Sequence, residues 1–249
     1  MSTGKGQVLQ LILEDGYRHA HVFCPPNLIP APGQYLLAGD ASDSPLPVPL
    51  FHTDSVPQGF IAAAPIPDSW NPGLELHLRG PLGRGFTLPL SARRVGLVEL
   101  DSSPARLKGL IRRALKQDAA VVLICGSNPD NLPDDVEVQP ISSLHEIVEW
   151  ADYLAFDVAR ENLNQLRERL GKRHQFAAEK DRVATLAPHA SAGESSKGEP
   201  RRNEVQVLIH TPIPCGGIAE CGVCAVTLKS GWKLACKDGP VFNWSDILE

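Results

Sequence analysis

Residues 214–242 read PCGGIAECGVCAVTLKSGWKLACKDGPVF, and four cysteines fall within this stretch. They follow the spacing C-x5-C-x2-C-x11-C, at Cys215, Cys221, Cys224 and Cys236. Three thiolates on one short loop, joined by a fourth that returns from a nearby hairpin, can surround one small inorganic centre. The stretch therefore predicts that the C-terminal part of the chain folds around a metal centre.

The spacing favours a [2Fe–2S] cluster, because the ferredoxin version of that site has C-x4-C-x2-C followed by a distant fourth cysteine. Three loop glycines allow positive φ and let backbone N–H groups point at the cluster sulfurs, namely Gly216, Gly217 and Gly222. A zinc site is the main alternative, but zinc sites with four cysteines usually contain two C-x2-C pairs, and only Cys221 and Cys224 form one. Plain buried thiols are a third interpretation. His210 lies nearby and could replace a ligand, although an ordinary sheet histidine is the favoured interpretation.

The composition is that of an ordinary globular protein. The chain has 249 residues, 43% of them hydrophobic, six cysteines and a formal net charge of −5, and its length suggests two domains. The mild acidity predicts no nucleic-acid partner. No apolar run approaches the ~20 residues that cross a bilayer, so no membrane partner and a cytoplasmic location are expected.

In such a reducing compartment clustered cysteines bind metals more often than they form disulfides. Cys24 and Cys125 end apolar runs and are expected to be buried thiols.

Residues 1–92 are predicted to form short β-strands separated by turns. The stretches 17–24 (YRHAHVFC) and 74–80 (LELHLRG) alternate apolar and polar residues, and many prolines exclude long helices. Short strands at this close spacing predict a small barrel or sandwich.

Residues 93–172 change to alternating strands and helices. Buried strands are predicted at 94–100, 120–126 and 153–158. One helix follows Ser103 and Pro104, which supply an N-cap and a proline at the first helical position. Another follows Ser143, which forms a capping box with Glu146. This alternation predicts a small parallel α/β domain.

Residues 173–203 are predicted to be a linker. Within them, 187–203 contains no Val, Ile, Leu, Met, Phe, Trp or Tyr, so this part cannot offset the entropy of ordering by burying apolar area. Residues 204–249 then form the cluster-binding segment. Trp232 and Trp244 flank the cluster in sequence and are expected to cover it from solvent.

Three motifs resemble those of one known family. They are CKDGPVF at 236–242, PGQY at 32–35 and GPLGRGF at 80–86. They are similar to motifs of the electron-transfer subunit of type B dihydroorotate dehydrogenase, a family within the ferredoxin reductase superfamily. The resemblance covers nearly the whole chain and implies an N-terminal FAD-binding antiparallel β-barrel, an α/β nicotinamide-nucleotide domain and a C-terminal [2Fe–2S] segment. The first cysteine gap is one residue longer than in ferredoxins.

The flavin motif of that family is altered in this chain. Family members carry Arg-Pro-x-Ser/Thr shortly after PGQ, where Arg pairs with the FAD phosphates and the hydroxyl reaches the isoalloxazine. Placing Pro49 on the family's proline puts Val48 at the Arg position and Phe51 at the hydroxyl position. A charged hydrogen bond to phosphate contributes on the order of 1.5 to 3 kcal/mol. FAD therefore stays a possible cofactor that these residues disfavour.

The nicotinamide motifs depart further from the family pattern. The family has a GGGxGxxP loop whose N–H groups approach phosphate at a helix N-terminus. Aligned on Pro104, the loop of this chain has no glycine, and Glu99 and Asp101 would repel an anion there. The family's later Cys-Gly-Pro motif appears as DVA at 157–159. Binding of NAD(P) is not expected.

The sequence thus predicts an iron–sulfur protein or subunit that passes electrons to or from a partner oxidoreductase through one [2Fe–2S] cluster. The chain would be a subunit rather than a catalyst in its own right, with no catalytic residue assigned. The resemblance implies a dihydroorotate dehydrogenase-like flavoprotein as the partner. Two alternatives stay open: an FAD- and [2Fe–2S]-containing subunit of an NAD-linked dihydroorotate dehydrogenase of pyrimidine biosynthesis, and a zinc-stabilised interaction module.

Overall fold

The computed structural model describes residues 2–14, 16–40, 46–101, 103–126, 129, 131–170 and 204–247. The predicted linker lies outside these residues. The described residues form a closed barrel, a six-stranded sheet and a two-stranded hairpin. None of the helices in this described part is long and apolar enough to cross a membrane.

The N-terminal residues form an antiparallel β-barrel, which confirms the predicted barrel. Its strands are β1 (Ser2–Glu14), β2 (Tyr17–Phe23), β3 (Tyr35–Gly39), β4 (Val48–Val56), β5 (Gly59–Ala62) and β6 (Glu75–Leu82). They close in the order β1-β2-β5-β4-β3-β6. Because side chains alternate across a strand, one set points inward and fills the barrel, with Phe60 and Leu36 fully buried. Trp70, in the connection between β5 and β6, is buried in the same core.

The second sheet confirms the predicted α/β domain. Its elements are β7 (Arg94–Glu99), α1 (Ala105–Lys116), β8 (Ala120–Ile124), β9 (Val136–Gln139), α2 (Leu144–Trp150), β10 (Tyr153–Ala159), α3 (Leu163–Leu170), β11 (Glu204–His210) and β14 (Val241–Asn243). The strand order is β14-β11-β10-β7-β8-β9, and only β14 runs antiparallel to its neighbour. The chain leaves β7 toward β8 and later returns to β10 on the other side, so the order reverses between β7 and β10. Ligands of open α/β sheets bind at such a switch point.

The C-terminal segment adds two strands to this sheet. Strand β11 pairs in parallel with β10, from Tyr153 opposite Glu204 to Ala159 opposite His210. Strand β14 then pairs antiparallel with β11. Between these two strands lies a hairpin of β12 (Ala225–Leu228) and β13 (Gly231–Leu234). The cysteine loop therefore begins at the carboxyl end of a buried parallel strand, which gives it a rigid attachment.

Helix α1 packs the α/β sheet against the barrel. Gly109 approaches β4 so closely that a Cβ at this position would lie 2.7 Å from Nδ1 of His52. The guanidinium of Arg112 pairs with Asp54 of β4 at 2.6 Å. One continuous hydrophobic core contains residues of both the barrel and the sheet. The two parts are thus packed as one unit, and the cysteine loop lies over the barrel.

Candidate metal centre

The C-terminal hairpin brings the four predicted ligands together. Three of them precede β12 and the fourth follows β13: Cys215, Cys221 and Cys224, then Cys236. Antiparallel pairing of the two strands returns the fourth cysteine to the loop, and the Ala235 N–H donates to the carbonyl of Cys224 at 3.0 Å. The eleven-residue gap in the motif therefore consists of the hairpin, residues 225–234, and Ala235.

The four thiols are arranged as two pairs. Cys215 lies within hydrogen-bonding reach of Cys221, and Cys236 lies within hydrogen-bonding reach of Cys224. All six cysteines of the chain are free thiols. Within the described ranges, no three His, Cys, Asp or Glu side chains are grouped as they would be around a single metal ion. The four thiols thus form two close pairs, and the charge of Cys215 reaches Cys236 of the other pair.

The two pairs differ in their exposure. Cys224 and Cys236 are 1% and 2% exposed, whereas Cys221 lies at the surface and Cys215 is half-buried. A centre held by all four thiols would have one side against the protein and one side facing solvent. An electron carrier in this position can be reached by another protein.

The tryptophans of the segment do not cover the centre as expected. Trp232 is 80% exposed, because β13 belongs to a separate two-stranded hairpin that turns this side chain outward. The prediction for Trp232 is wrong. Trp244 is half-buried and packs against Phe156 of β10, with ring centroids 6.5 Å apart. It supports the sheet instead.

The backbone of the loop has the conformation that its glycines predict. Gly216, Gly217 and Gly222 have φ of 62°, 71° and 71°. Ala219 also has a positive φ, of 66°, which is uncommon for a residue with a Cβ. Left-handed residues within a short loop turn successive N–H groups toward one point, which forms a cradle for an anion.

The N–H groups of this cradle point at the first cysteine. Burial raises the pKa of Cys215, but hydrogen bonds from the Cys221 side chain and from the backbone of Cys221, Glu220 and Ala219 outweigh it. The net effect of these hydrogen bonds is to lower the pKa of Cys215 to about 6. The loop therefore stabilises a thiolate at this position, and the thiolate is the form that binds metal.

In the buried pair, Cys224 and Cys236, the pKa of Cys236 is raised instead of lowered. Burial, followed by the hydrogen bond and charge of Cys224 and the charge of Cys215, raises the pKa of Cys236 to about 12. Thiolates packed together repel one another, so a site of this kind needs cations to become fully ionised. The donor set is consistent with metal cations bound by all four sulfurs.

The barrel forms the floor of the centre. The hydroxyl of Tyr35 on β3 is buried and donates to the carbonyl of Cys236 at 3.0 Å. Gly217 packs so tightly on the barrel that a Cβ would lie 3.2 to 3.4 Å from Tyr35, Leu37 and Leu82. The cysteine loop is therefore held to the barrel by one hydrogen bond and by close packing. The sequence analysis did not predict that Tyr35 would hold the loop, although its place in the PGQY motif marked the residue.

A cation lies beside the same loop. A Cβ on Gly216 would lie 3.4 Å from Cγ of Pro47 and 3.5 Å from Nη2 of Arg79. The pKa of the Tyr35 hydroxyl is raised mainly by burial, and Arg79 partly opposes that effect while the neighbouring cysteines reinforce it. Arg79 thus lies beside the backbone of the cysteine loop and close to the Tyr35 hydroxyl, and no sequence motif indicated this.

The three motifs of the family resemblance converge beneath the centre. A Cβ on Gly33 of PGQY would lie 2.7 Å from Val241 of CKDGPVF and 2.9 Å from Phe86 of GPLGRGF. The N–H of Arg84 donates to the carbonyl of Gly239. The motifs are distant in sequence but form a single packed region, in which small residues allow the barrel and the C-terminal segment to approach.

The positions of the flavin motif do not present the groups that FAD requires. Val48 packs against the inner core of the barrel. Phe51 is 8% exposed, and its ring lies 5.5 Å from the ring of Tyr35. Neither a guanidinium nor a hydroxyl stands at these two positions. The residues present do not fit the phosphate and isoalloxazine contacts that the family motif supplies.

The positions of the nicotinamide motif are occupied by internal contacts. Glu99 is 5% exposed at the end of β7. Asp101 accepts hydrogen bonds from the Ala159 N–H, the Asn162 amide and Nε2 of His210, the last at 3.2 Å. These contacts join the loops after β7, β10 and β11. The switch point of the sheet is therefore bridged by a carboxylate where the family has glycine N–H groups.

A buried ion pair lies next to this carboxylate. Arg106 of α1 pairs with Asp157 of β10 at 2.8 Å, and both side chains are almost fully buried. Burial and then Arg106 lower the pKa of His210 despite the nearby carboxylates. A cavity of about 560 Å³ is lined by Arg106 and His210 and, on the barrel side, by Arg18. The crevice is thus lined by charges that already have partners in the protein, as Arg18 also pairs with Asp68.

Comparison with known proteins identifies the segment and the scaffold. Residues 215–248 match the family described as the iron–sulfur cluster binding domain of dihydroorotate dehydrogenase B. The chain is similar in fold to a chain of the NADH-dependent reduced ferredoxin-NADP oxidoreductase structure, with a TM-score of 0.67 and 14% identity over 99% of this chain and 91% of that one. The protein is therefore ferredoxin reductase-like in fold and carries an iron–sulfur binding segment at its C-terminus.

Two relatives make the resemblance more specific. The electron transfer subunit of dihydroorotate dehydrogenase B (NAD(+)) from Desulforamulus reducens is 26% identical over 88% of this chain and 87% of its own length. Subunit gamma of sulfhydrogenase 1 from Pyrococcus furiosus is 42% identical over 48 residues, which are 19% of this chain and only 16% of that subunit. The predicted resemblance to the electron-transfer subunit is confirmed. Together the comparisons support an electron-transfer subunit with an iron–sulfur cluster.

Proposed function

We propose that the chain is an electron-transfer subunit in which four thiolates hold a single [2Fe–2S] cluster. The ligands are Cys215, Cys221, Cys224 and Cys236. The observation that carries the proposal is the arrangement of these thiols as two pairs on a left-handed loop, closed from below by the Tyr35 hydroxyl. A [2Fe–2S] cluster supplies a one-electron carrier at this position.

The pairing favours two irons over one zinc ion. In a [2Fe–2S] cluster each iron takes two of the four thiolates, so a ligand set in two pairs fits it. Tetrahedral zinc needs all four sulfurs at about 2.3 Å from one ion. The grouping of three or more donors that such an ion requires is absent from the described residues. The zinc-stabilised interaction module is therefore the weaker alternative.

The partner we propose is the catalytic subunit of an oxidoreductase. Both relatives are subunits of larger redox enzymes by name. The chain offers an exposed edge of the centre at Cys221, through which electrons can pass to another protein. A dihydroorotate dehydrogenase-like flavoprotein is the specific partner that the match along 88% of the chain favours. A cytoplasmic location and the absence of a nucleic-acid partner stay predictions.

We propose that this chain lacks part of the family's binding sites for FAD and NAD(P). Val48 and Phe51 supply neither a phosphate cation nor a flavin-facing hydroxyl, and Asp101 occupies the switch point with internal hydrogen bonds. The second candidate function is the complete family activity, with FAD as well as the cluster, and the similarity to the electron transfer subunit favours it. We assign no residue of this chain to FAD or NAD(P).

One set of measurements on one sample tests these proposals. Protein purified anaerobically should be red-brown and should contain about two irons and two sulfides per chain. Cys224→Ser should lose the colour, whereas Cys125→Ser, which changes an equally buried cysteine outside the loop, should keep it. A colourless wild-type protein that contains zinc would refute the cluster. Flavin released at one per chain after reconstitution with FAD would select the second candidate function.

A further inference from the structure

Arg79 is a half-buried cation at the edge of the cysteine loop. It lies on β6, where its register partners are Thr3 on β1 and Leu37 on β3. Its Nη2 atom lies 3.5 Å from the position of a Cβ on Gly216, the residue that follows Cys215. The guanidinium therefore lies next to the backbone of the first predicted ligand.

The charge of Arg79 has no carboxylate partner among the described residues. Several other cations of the fold are paired with acids: Arg18–Asp68, Arg94–Asp152, Arg106–Asp157, Lys108–Glu14 and Arg112–Asp54. A half-buried charge without a counter-ion costs solvation free energy. A negatively charged centre in the adjacent loop would compensate that cost.

The proposed cluster has the required sign. Two ferric ions, two sulfides and four thiolates carry two net negative charges, and one-electron reduction raises this to three. In that step one ferric ion becomes ferrous, and the electron comes from the reduced partner, which is oxidised. A nearby positive charge attracts the reduced form more strongly than the oxidised form. Because Arg79 is half-buried, the solvent screens this attraction only in part.

We propose that the positive charge of Arg79 raises the reduction potential of the centre. The inference rests on the proposed function, since it requires a cluster in the loop. Removing the charge should shift the equilibrium between the reduced and oxidised centre roughly tenfold toward the oxidised form. For a one-electron couple, a tenfold change corresponds to about 59 mV.

The test is an anaerobic redox titration, followed by absorbance and by electron paramagnetic resonance, of the full chain and four variants. Arg79→Gln should lower the midpoint potential by about 59 mV. Arg79→Lys keeps the charge and should restore most of the loss. Lys5→Gln removes an exposed cation on the neighbouring strand β1 and should leave the potential unchanged.

The fourth variant changes the electrostatic field at the loop but keeps Arg79. Thr3→Asp places a carboxylate on the exposed strand position opposite Arg79, at cross-strand contact distance. It should lower the potential in the same direction as Arg79→Gln, and it remains informative if the glutamine variant fails to fold.

The outcomes separate this inference from the proposed function. A wild-type chain that binds no cluster refutes the proposed function. A cluster-bearing wild type whose potential moves no further in Arg79→Gln and Thr3→Asp than in Lys5→Gln refutes the role of Arg79 alone. A lowered potential with unchanged iron content and an unchanged resonance spectrum supports an electrostatic effect, because damage to the loop would alter both of those readouts.

Discussion

The hydrogen bond from Tyr35 to the carbonyl of Cys236 should decide how firmly the cluster is held. The bond is 3.0 Å long, buried, and joins residues 201 positions apart. Tyr35→Phe keeps the ring and its contact with Phe51 but removes the hydroxyl that donates to this carbonyl. The perturbation is therefore restricted to one hydroxyl, and the packing of the loop on the barrel stays otherwise unchanged.

The size of the effect follows from the burial of the bond. A neutral hydrogen bond contributes about 0.5 to 1.5 kcal/mol, and a buried carbonyl left without a donor costs about 1 to 3 kcal/mol. Because 1.4 kcal/mol corresponds to a factor of ten, we expect roughly a fivefold to hundredfold faster loss of the cluster. The assay is the rate at which the visible absorbance disappears when an iron chelator is added in excess under anaerobic conditions.

The control is a second buried tyrosine outside the loop. Tyr153 donates to Oε1 of Gln206 at 2.8 Å within the α/β sheet. Tyr153→Phe should lower the free energy of unfolding by about 0.5 to 1.5 kcal/mol without accelerating cluster loss to the same degree. Equal release rates for Tyr35→Phe and the wild type would refute the view that the barrel secures the loop through this bond.

Three further predictions concern the stability of the scaffold, each measured by urea unfolding. Gly33→Ala meets both a positive φ of 84° and atoms closer than 3 Å, whereas Gly16→Ala meets only a φ of 78°, so the first should cost at least 1 kcal/mol more than the second. Asp157→Ala leaves Arg106 buried without its partner and should cost about 3 to 5 kcal/mol; a cost under 1 kcal/mol would contradict a buried ion pair. Burial and then Arg113 lower the pKa of His52 to about 4, so the unfolded chain binds more protons between pH 6.5 and 4. Stability should fall by up to roughly 3 kcal/mol as the pH falls through that window, and His52→Gln should reduce the fall.

Local patterns predicted the elements of the fold well where a pattern had enough length. The alternation at 17–24 and 74–80 became β2 and β6, and the apolar run at 153–158 became β10. Strand β9 was not predicted, because four residues are too few to show a clear apolar pattern and none of them is fully buried. The Ser143 capping box also lacks its side-chain hydrogen bond, since a 3-10 turn at Ile141–Ser143 already leads into the helix.

Side-chain exposure was harder to predict than strand position. Trp232 was expected to shield the cluster because it stands within the segment, yet it lies on β13 of the outer hairpin and faces solvent. Cys24 and Cys125 are buried as expected. The difference is that Cys24 follows β2 of the barrel and Cys125 follows β8 of the six-stranded sheet, and both belong to a hydrophobic core. An isolated hairpin has no second layer to bury one face.

Residue types and spacings were enough to predict a metal centre at the four cysteines, the order of the three structural parts and the family resemblance. These properties depend on residue types and on spacings of a few residues, which local geometry constrains strongly. The tertiary structure alone decided that Tyr35 holds the loop, that Arg79 lies beside Gly216, and that Asp101 and the Arg106–Asp157 pair occupy the switch point. Each of these contacts joins residues about 50 to 200 positions apart. Such contacts exist only because closing the barrel and packing it on the sheet buries apolar surface, and that gain brings together groups whose separation in sequence carries no pattern.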